Sequence, residues 1–288
     1  MSGIDPAPGR EWSIGIYSGP SPIELRPAAG VSNPVLTRAD VSDCTASFVA
    51  DPFMVFEDGT WYMFFEVMNA LTGRGAIGLA VSRDATNWQY RRIVLQEPFH
   101  LSYPNVFQWR DDYYMIPEAL ATEAVCLYRA APFPERWILV ANLVKGTLAD
   151  PSPFRHANRW WMFACGAPRS HDNLRLFHSE HLTRGWCEAA VSPLIHGDRR
   201  SARPAGRVVA CNDRIIRFAQ DCDPWYGRQV RAFQVDTLSP IAYHEEPAPE
   251  PVLLSNSLDG WNSSGMHHVD AHPIMKGTWI ACVDGSDG

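Results

Sequence analysis

Apolar residues along this chain come in short runs of four to eight, broken by polar turn pairs and by many of the 23 prolines. That pattern predicts strands rather than helices. The runs fall into groups whose openings recur about every 50 residues, most of them a polar residue beside a proline. The openings are Asp51-Pro52-Phe53, Tyr103-Pro104-Asn105, Asp150-Pro151-Ser152, Arg203-Pro204-Ala205-Gly206 and His268-Val269-Asp270. A short apolar strand follows each opening, then a polar hairpin tip, then a second aromatic or aliphatic strand. Strand-built repeats of this length are the signature of a β-propeller. The expected fold class is all-β: one five-bladed β-propeller domain over residues 1–288.

Blade one is predicted with strand a at Phe53–Phe56, an Asp58-Gly59 hairpin, strand b at Trp61–Val67, strand c at Ala76–Ser82 and strand d at Trp88–Leu95. Blades two, three and four repeat the order, with first strands at Val106–Trp109, Pro153–His156 and Gly206–Ala210. Blade five has strands a and b, Ala271–Met275 and Thr278–Val283, and then the chain stops. Trp12–Ser18 and Ile23–Arg26 are placed to supply its missing outer strands. Such closure removes the unpaired sheet edges that invite aggregation.

Strand a of a propeller blade lines the central channel, and strand b returns beside its start. Asp51 leads to Glu66, Tyr103 to Glu118 and Asp150 to Cys165, each over 15 residues. Two rings of positions therefore converge on one mouth. The first holds Asp51, Tyr103, Asp150, Arg203 and Asp270; the second holds Glu66, Glu118, Cys165, Gln220 and Asp284. Like charges brought together raise one another's pKa. That is the condition a glycosidase needs, with one carboxyl kept protonated and another ionised. The plainer reading is local: an Asp before Pro often bonds neighbouring backbone N–H groups, and each Glu can be held by an arginine.

Composition narrows the classes. Net charge is −7, which argues against a nucleic-acid partner. No apolar run is long enough to span a membrane as a helix. Met1 to Trp12 lack a basic region followed by an apolar run, so no secretory leader is expected and the cytoplasm is the expected location. The seven cysteines are odd in number and include no CxxC pair, which predicts reduced structural thiols and no zinc cluster. A monomer is the default expectation.

Val49-Ala50-Asp51-Pro52-Phe53 followed by Gly59-Thr60-Trp61-Tyr62-Met63-Phe64-Phe65-Glu66 resembles the first blade of the five-bladed propellers of glycoside hydrolase family 43 and its relatives. The nearer resemblance is to a family-43-like subgroup. It includes propeller domains attached to plant glucosamine inositolphosphorylceramide transferases and to formyltransferase-like proteins. Ser102-Tyr103-Pro104, Tyr114-Met115-Ile116-Pro117-Glu118, Asp150-Pro151-Ser152, Trp160-Trp161 and Gln220-Asp221 extend the likeness over essentially the whole chain. The resemblance implies a carbohydrate or glycoconjugate substrate and three catalytic carboxyls. Asp51 matches the general base and Asp150 the residue that tunes pKa. The hydrolases draw their acid from a later blade, where this chain has Arg203, Arg217 and Gln220. Glu118 is the expected substitute, with Glu66 second. A glycoside hydrolase is thus the leading expectation. The alternative is a non-catalytic propeller that binds a sugar or glycolipid head group beside a transferase.

Further binding candidates follow from residue type. Arg203, Arg207 and Arg217 would suit an anionic sugar if they face the mouth. Tyr103 and Asn105 stand at the opening of blade two, and Gln220 ends strand b of blade four. Trp225 and Tyr226, in a loop rich in proline and glycine, are candidates for stacking on a sugar. His268, Asp270 and His272 share a strand face. Substrate hydrogen bonding is the favoured role there over a channel cation, and no cofactor is expected.

Overall fold

The computed structural model describes residues 10–211, 214–275 and 277–288. Residues 1–9, which carry most of the segment in which no leader is expected, lie outside the described residues. Five small antiparallel sheets stand in a ring. Blade one runs Ala46–Glu57, Thr60–Asn69, Arg74–Ser82 and Gln89–Leu95 as strands a to d. Blade two runs Ser102–Trp109, Asp112–Glu118, Ala124–Ala130 and Trp137–Lys145. Blade three has Ala149–His156, Arg159–Cys165 and Asn173–Ser179, with its outer strand reduced to Cys187–Glu188 and Ile195–His196. Blade four has a split first strand, Arg203–Pro204 and Val209–Cys211, then Arg214–Asp221, Gln229–Ser239 and Ala242–Ser255. In blade five, Val269–Met275 and Thr278–Asp287 are joined by Glu11–Ser21 and Glu24–Pro27 from the other end of the chain. The ring is closed by hydrogen bonds, as the sequence pattern predicts.

Why the sheets form a ring is visible in where the apolar side chains go. Among the described residues, the five largest buried clusters each lie between two neighbouring blades. Ile14, Ile16 and Cys282 of blade five pack on Val49, Met63 and Phe65 of blade one. Phe53, Phe64 and Leu79 of blade one meet Tyr103, Met115 and Tyr128 of blade two. The same interdigitation recurs between blades two and three, three and four, and four and five. A single blade could cover neither of its faces. Each buried Phe or Ile contributes about 1.5–3 kcal/mol only when its neighbour is present.

The openings differ from the prediction in one instructive way. Asp51-Pro52, Tyr103-Pro104 and Asp150-Pro151 do not start strands; they sit inside them as bulges. Ala50 pairs with Glu66 and Phe53 with Phe64, so Asp51 and Pro52 together face one residue. Ser102/Asn105 and Ala149/Ser152 repeat the irregularity in blades two and three. The first residue of each bulge is left-handed, with φ of 53° at Asp51, 48° at Tyr103 and 50° at Asp150. Proline has no N–H for the ladder, so the bulge absorbs it. The strained backbone persists because the channel supplies partners for the N–H groups it turns inward.

Candidate functional site

Those inward N–H groups build the mouth. Asp51 N–H donates to Asp284 Oδ2 (3.0 Å), Tyr103 N–H to Asp51 Oδ2 (3.2 Å) and Asp150 N–H to Glu118 Oε2 (3.1 Å). The bulges thus draw carboxylates from strands a and b into one basin. The basin opens into a cavity of about 690 Å³ at the end of the channel. Asp51, Glu66, Glu118, Arg203, Tyr226 and His267 all line it.

Asp51 is 6% exposed. Burial pushes its pKa up to about 7, with Asp284 and Asp150 adding to the rise and His267 opposing it. His267 was not picked out by the sequence pattern. Its Nδ1 lies 2.7 Å from Asp284 Oδ1 and its Nε2 3.6 Å from Asp51 Oδ1. Burial favours the neutral ring, but the charges and hydrogen bond of these two aspartates outweigh it and hold the pKa above normal. Burial likewise favours neutral Asp284, yet His267 keeps it below the usual carboxylate range. The three residues place donor atoms within 4.8 Å of one another. These atoms are placed to hold a metal ion, and the raised pKa of His267 favours the protonated ring that would instead pair with the two aspartates. The strand-b ring pointed to Asp284; His267 needed the fold, because its neighbour His268 has the same chemistry.

Arg203 dominates the opposite wall. Its Nε is 2.5 Å from Asp150 Oδ2 and its Nη2 3.5 Å from Glu118 Oε2. Nη1 meets His171 Nδ1 at 2.9 Å, and burial with the adjacent arginines pushes that ring down to about 3. Gln220 Nε2 completes the set by donating to Asp150 Oδ2 (2.9 Å). Asp150 is still pushed up to about 7, because burial, reinforced by Glu118, exceeds the pull of Arg203. The Tyr226 ring lies 5.0 Å from the Arg203 guanidinium carbon and 5.3 Å from the His267 ring, so it forms a wall between the two side chains.

Glu66 is the exception. It is 5% exposed, and its Oε1 has no hydrogen-bond partner. Burial pushes its pKa well above the usual range, and Asp51, Glu118, Asp284 and Asp150 push it further. His100 Nε2 stands 3.4 Å away. The Gly75 N–H donates to His100 Nδ1 (2.9 Å), which places the ring proton on Nε2, toward Glu66. Gly75 is required here. A Cβ on it would lie 2.7 Å from Glu66 Oε1 and 2.3 Å from the Leu101 carbonyl oxygen.

Several sequence candidates lie elsewhere. Arg217 does not face the mouth. It is 1% exposed and bound to Glu245 (Nε–Oε2 2.7 Å) and to Ser201 O, between the rings of Phe163 and Phe233. Arg207 reaches deeper down the channel to Asp270 (2.6 Å) and the carbonyl oxygens of Met54 and Val106. Asp270 is consumed there, with His272 Nε2 at 2.8 Å and the Met54 N–H at 2.6 Å. All three arginines are paired with carboxylates: Arg203 with Asp150, Arg207 with Asp270 and Arg217 with Glu245. The Tyr103 hydroxyl bridges Ser152 Oγ (2.7 Å) and Gly206 O (3.0 Å) inside the channel. Asn105 and His268 are buried, and their side-chain nitrogens, with the Asn105 oxygen, have no hydrogen-bond partner. Burial pushes His268 down to about 4. Trp225 stands on the outer rim, 42% exposed, its Nε1 donating to Ser264 O.

Comparison with solved structures finds the same fold in glycoside hydrolases. The exo-β-1,3-galactanase of Clostridium thermocellum superposes with a TM-score of 0.61 at 16% identity, over 77% of this chain and 52% of that one. The catalytic domain of a glycoside hydrolase family 62 α-L-arabinofuranosidase from Coprinopsis cinerea gives 0.62 at 10% identity, over 96% of each. At such identities the likeness is one of fold. Sequence relatives point to another class. Glucosamine inositolphosphorylceramide transferase 1 of Oryza sativa subsp. japonica is 34% identical over 295 residues, covering 95% of this chain and 40% of that protein. Its Arabidopsis thaliana namesake is 32% identical over 95% of this chain and 39% of that protein. The chain thus spans about two fifths of the curated relatives it matches. Among the described residues, no helix is long and apolar enough to cross a membrane. Residues 6–286 match the family described as glucosamine inositolphosphorylceramide transferase 1, N-terminal, and the chain belongs to that family.

Proposed function

We propose that this propeller is a non-catalytic carbohydrate-binding unit. It would hold the sugar head group of a glycolipid for a glycosyltransferase, on a scaffold it has in common with glycosidases. One observation carries the reading: the guanidinium of Arg203 stands in the mouth on blade four, in contact with Asp150 and Glu118. Glu118 Oε2 is engaged as an acceptor by Asp150 N–H and lies against Arg203. A carboxyl held in that way does not present a proton to a leaving group. Tyr226 and Glu66, which line the same cavity, are the groups left to contact a sugar.

A second reading has its own support. Glu66 is buried, burial and the neighbouring carboxyls push its pKa well above the usual carboxylate range, and it lines the same cavity as Asp51. With Asp51 as base, Glu66 could serve as general acid in a hydrolase, the arrangement of two carboxyls in unlike environments. Turnover of a panel of aryl glycosides, alongside calorimetric sugar binding, separates the two for the wild type and Asp51→Asn. Binding with no turnover by either protein supports the binding unit. Turnover that vanishes in a folded Asp51→Asn variant overturns it in favour of the hydrolase.

A further inference from the structure

The far end of the channel is the chemical opposite of the mouth. Strand a of each blade runs away from the mouth, and in blades two, three and four the ends of these strands frame a second cavity of about 230 Å³. Phe107, Trp109, Phe154 and Trp160 give it an aromatic lining, and Arg155 and Arg207 give it charge. Among the described residues that line it, none is acidic, although the chain as a whole carries a net charge of −7. The mouth, by contrast, is lined by Asp51, Glu66 and Glu118.

The two arginines enter from different sides. Arg207 comes from the channel. Its Nε and Nη2 are held by Asp270 and by the carbonyl oxygens of Met54 and Val106, which fixes the plane of the guanidinium. Among the described residues, its Nη1 has no hydrogen-bond partner, and the side chain keeps 18% of its surface exposed. Arg155 comes from the rim. Its guanidinium carbon stands 4.6 Å from the centre of the Trp109 ring, and its Nη2 donates only to Asn158 O in its own hairpin (3.4 Å). Arg110, on the next hairpin, lies 5.8 Å from the same ring. Trp160 meets Trp109 edge to face, with ring centres 5.2 Å apart. A held guanidinium with one N–H edge to spare loses little freedom when an anion docks on it.

We propose that this cleft is a second binding site, for a small organic anion built on a single ring, of the aryl carboxylate class. Trp109 and Trp160 take the ring, and Arg207 Nη1 and Arg155 take the carboxylate. Each half of such a ligand answers one half of the lining. An inorganic anion would leave the aromatic surface in water, and a neutral ring would leave Arg207 Nη1 without an acceptor. The volume sets the size, because pockets for drug-sized ligands occupy about 300–1,000 Å³ and this one is smaller. Binding here changes no covalent bond and is independent of what the mouth holds.

Titration calorimetry on the full chain near pH 7 tests the assignment with three probes: benzoate, benzyl alcohol and acetate. Benzoate is expected to bind at least about tenfold more tightly than either of the others, a difference of about 1.4 kcal/mol. Raising sodium chloride from about 50 mM to about 500 mM should weaken benzoate and leave benzyl alcohol unchanged. Arg155→Gln, at an exposed position, should lower benzoate affinity about threefold without changing that for benzyl alcohol. Ala210→Phe, also exposed and on the cleft wall, puts a protein ring where the ligand ring would lie and should abolish benzoate binding. Benzoate bound as weakly as benzyl alcohol, or no more tightly than acetate, would overturn the proposal. So would benzoate binding that neither variant alters, since the ligand would then sit elsewhere, and so would no binding of benzoate at all.

Discussion

Two carboxylates on the same channel meet opposite fates. Asp270 lies part-way down the bore, with Arg207 at 2.6 Å, His272 at 2.8 Å and the Met54 N–H at 2.6 Å. Burial alone would raise its pKa, but these partners hold it below the normal carboxylate range. Glu66, at the mouth, is equally deprived of water, yet one of its oxygens meets no donor. Its pKa rises well above normal. Asp51 lies between these extremes. It has one backbone donor and a histidine at 3.6 Å, and burial still takes it to about 7. A carboxylate satisfied on every side is a rivet between blades. One left short of donors, facing a cavity, stores the free energy of its own desolvation and is ready for a ligand.

The sharpest way to break this contrast is at the rivet. Arg207→Met would strand buried Asp270 and release the carbonyl oxygens of Met54 and Val106. A loss of about 3–5 kcal/mol is expected in urea unfolding at neutral pH. A loss under about 1 kcal/mol would show that Asp270 needs no cation. Arg203→Met, at the mouth, should cost somewhat less, about 2–4 kcal/mol near pH 8. The deficit should shrink near pH 5, where Asp150, released from its partner, takes up a proton. A deficit independent of pH would mean that Arg203 acts by packing alone.

Asp51→Asn tests the mouth from the other direction. A folded-state pKa near 7 against an ordinary value of 3.8 means that the folded chain binds the Asp51 proton more tightly than the unfolded chain does. The associated stability is complete below the unfolded pKa and is lost as pH rises through the folded one, so the window runs from about pH 4 to about pH 7. Removing this titration should stabilise the protein near pH 8 by about 1–3 kcal/mol, less what His267 loses as a partner. Melting curves at pH 5 and pH 8 decide it; a variant destabilised more at pH 8 would reverse the sign. The smallest expected effect is Gly75→Ala, about 1–2 kcal/mol of stability, because its new methyl group meets the Leu101 carbonyl oxygen. The same methyl group displaces Glu66 Oε1, so sugar affinity should fall by more than stability accounts for. Unchanged affinity would remove Glu66 from the site.

Much of the fold was legible because a propeller repeats. The same turn-strand-turn grammar appears at each blade, and the missing outer strands of blade five had one source, Trp12–Ser18 and Ile23–Arg26. The errors lie where one residue type serves two purposes. Asp-Pro marks a unit opening in the sequence, but the bulge that lets the strand run through it is decided by the partner strand. Arg203 and Arg217 looked alike in blade four, yet one enters the mouth and the other is buried against Glu245 between blades three and four. His267 and His268 are adjacent in sequence. The first closes on Asp284, and the second turns its ring edge-on to Phe53 at 4.6 Å.

The sequence by itself determined the all-β class, the number of blades, the closure and the ring positions from which carboxylates reach the axis. These follow from local alternation and from the period, which each blade encodes independently. Only the tertiary structure decided which carboxylates are paired and which are left short of partners. That outcome depends on charges contributed by other blades, as Arg203 meets Asp150 across 53 residues and His267 meets Asp51 across more than 200. Electrostatic fate in a desolvated channel is set by distances of a few ångströms between remote segments, and no local pattern specifies those.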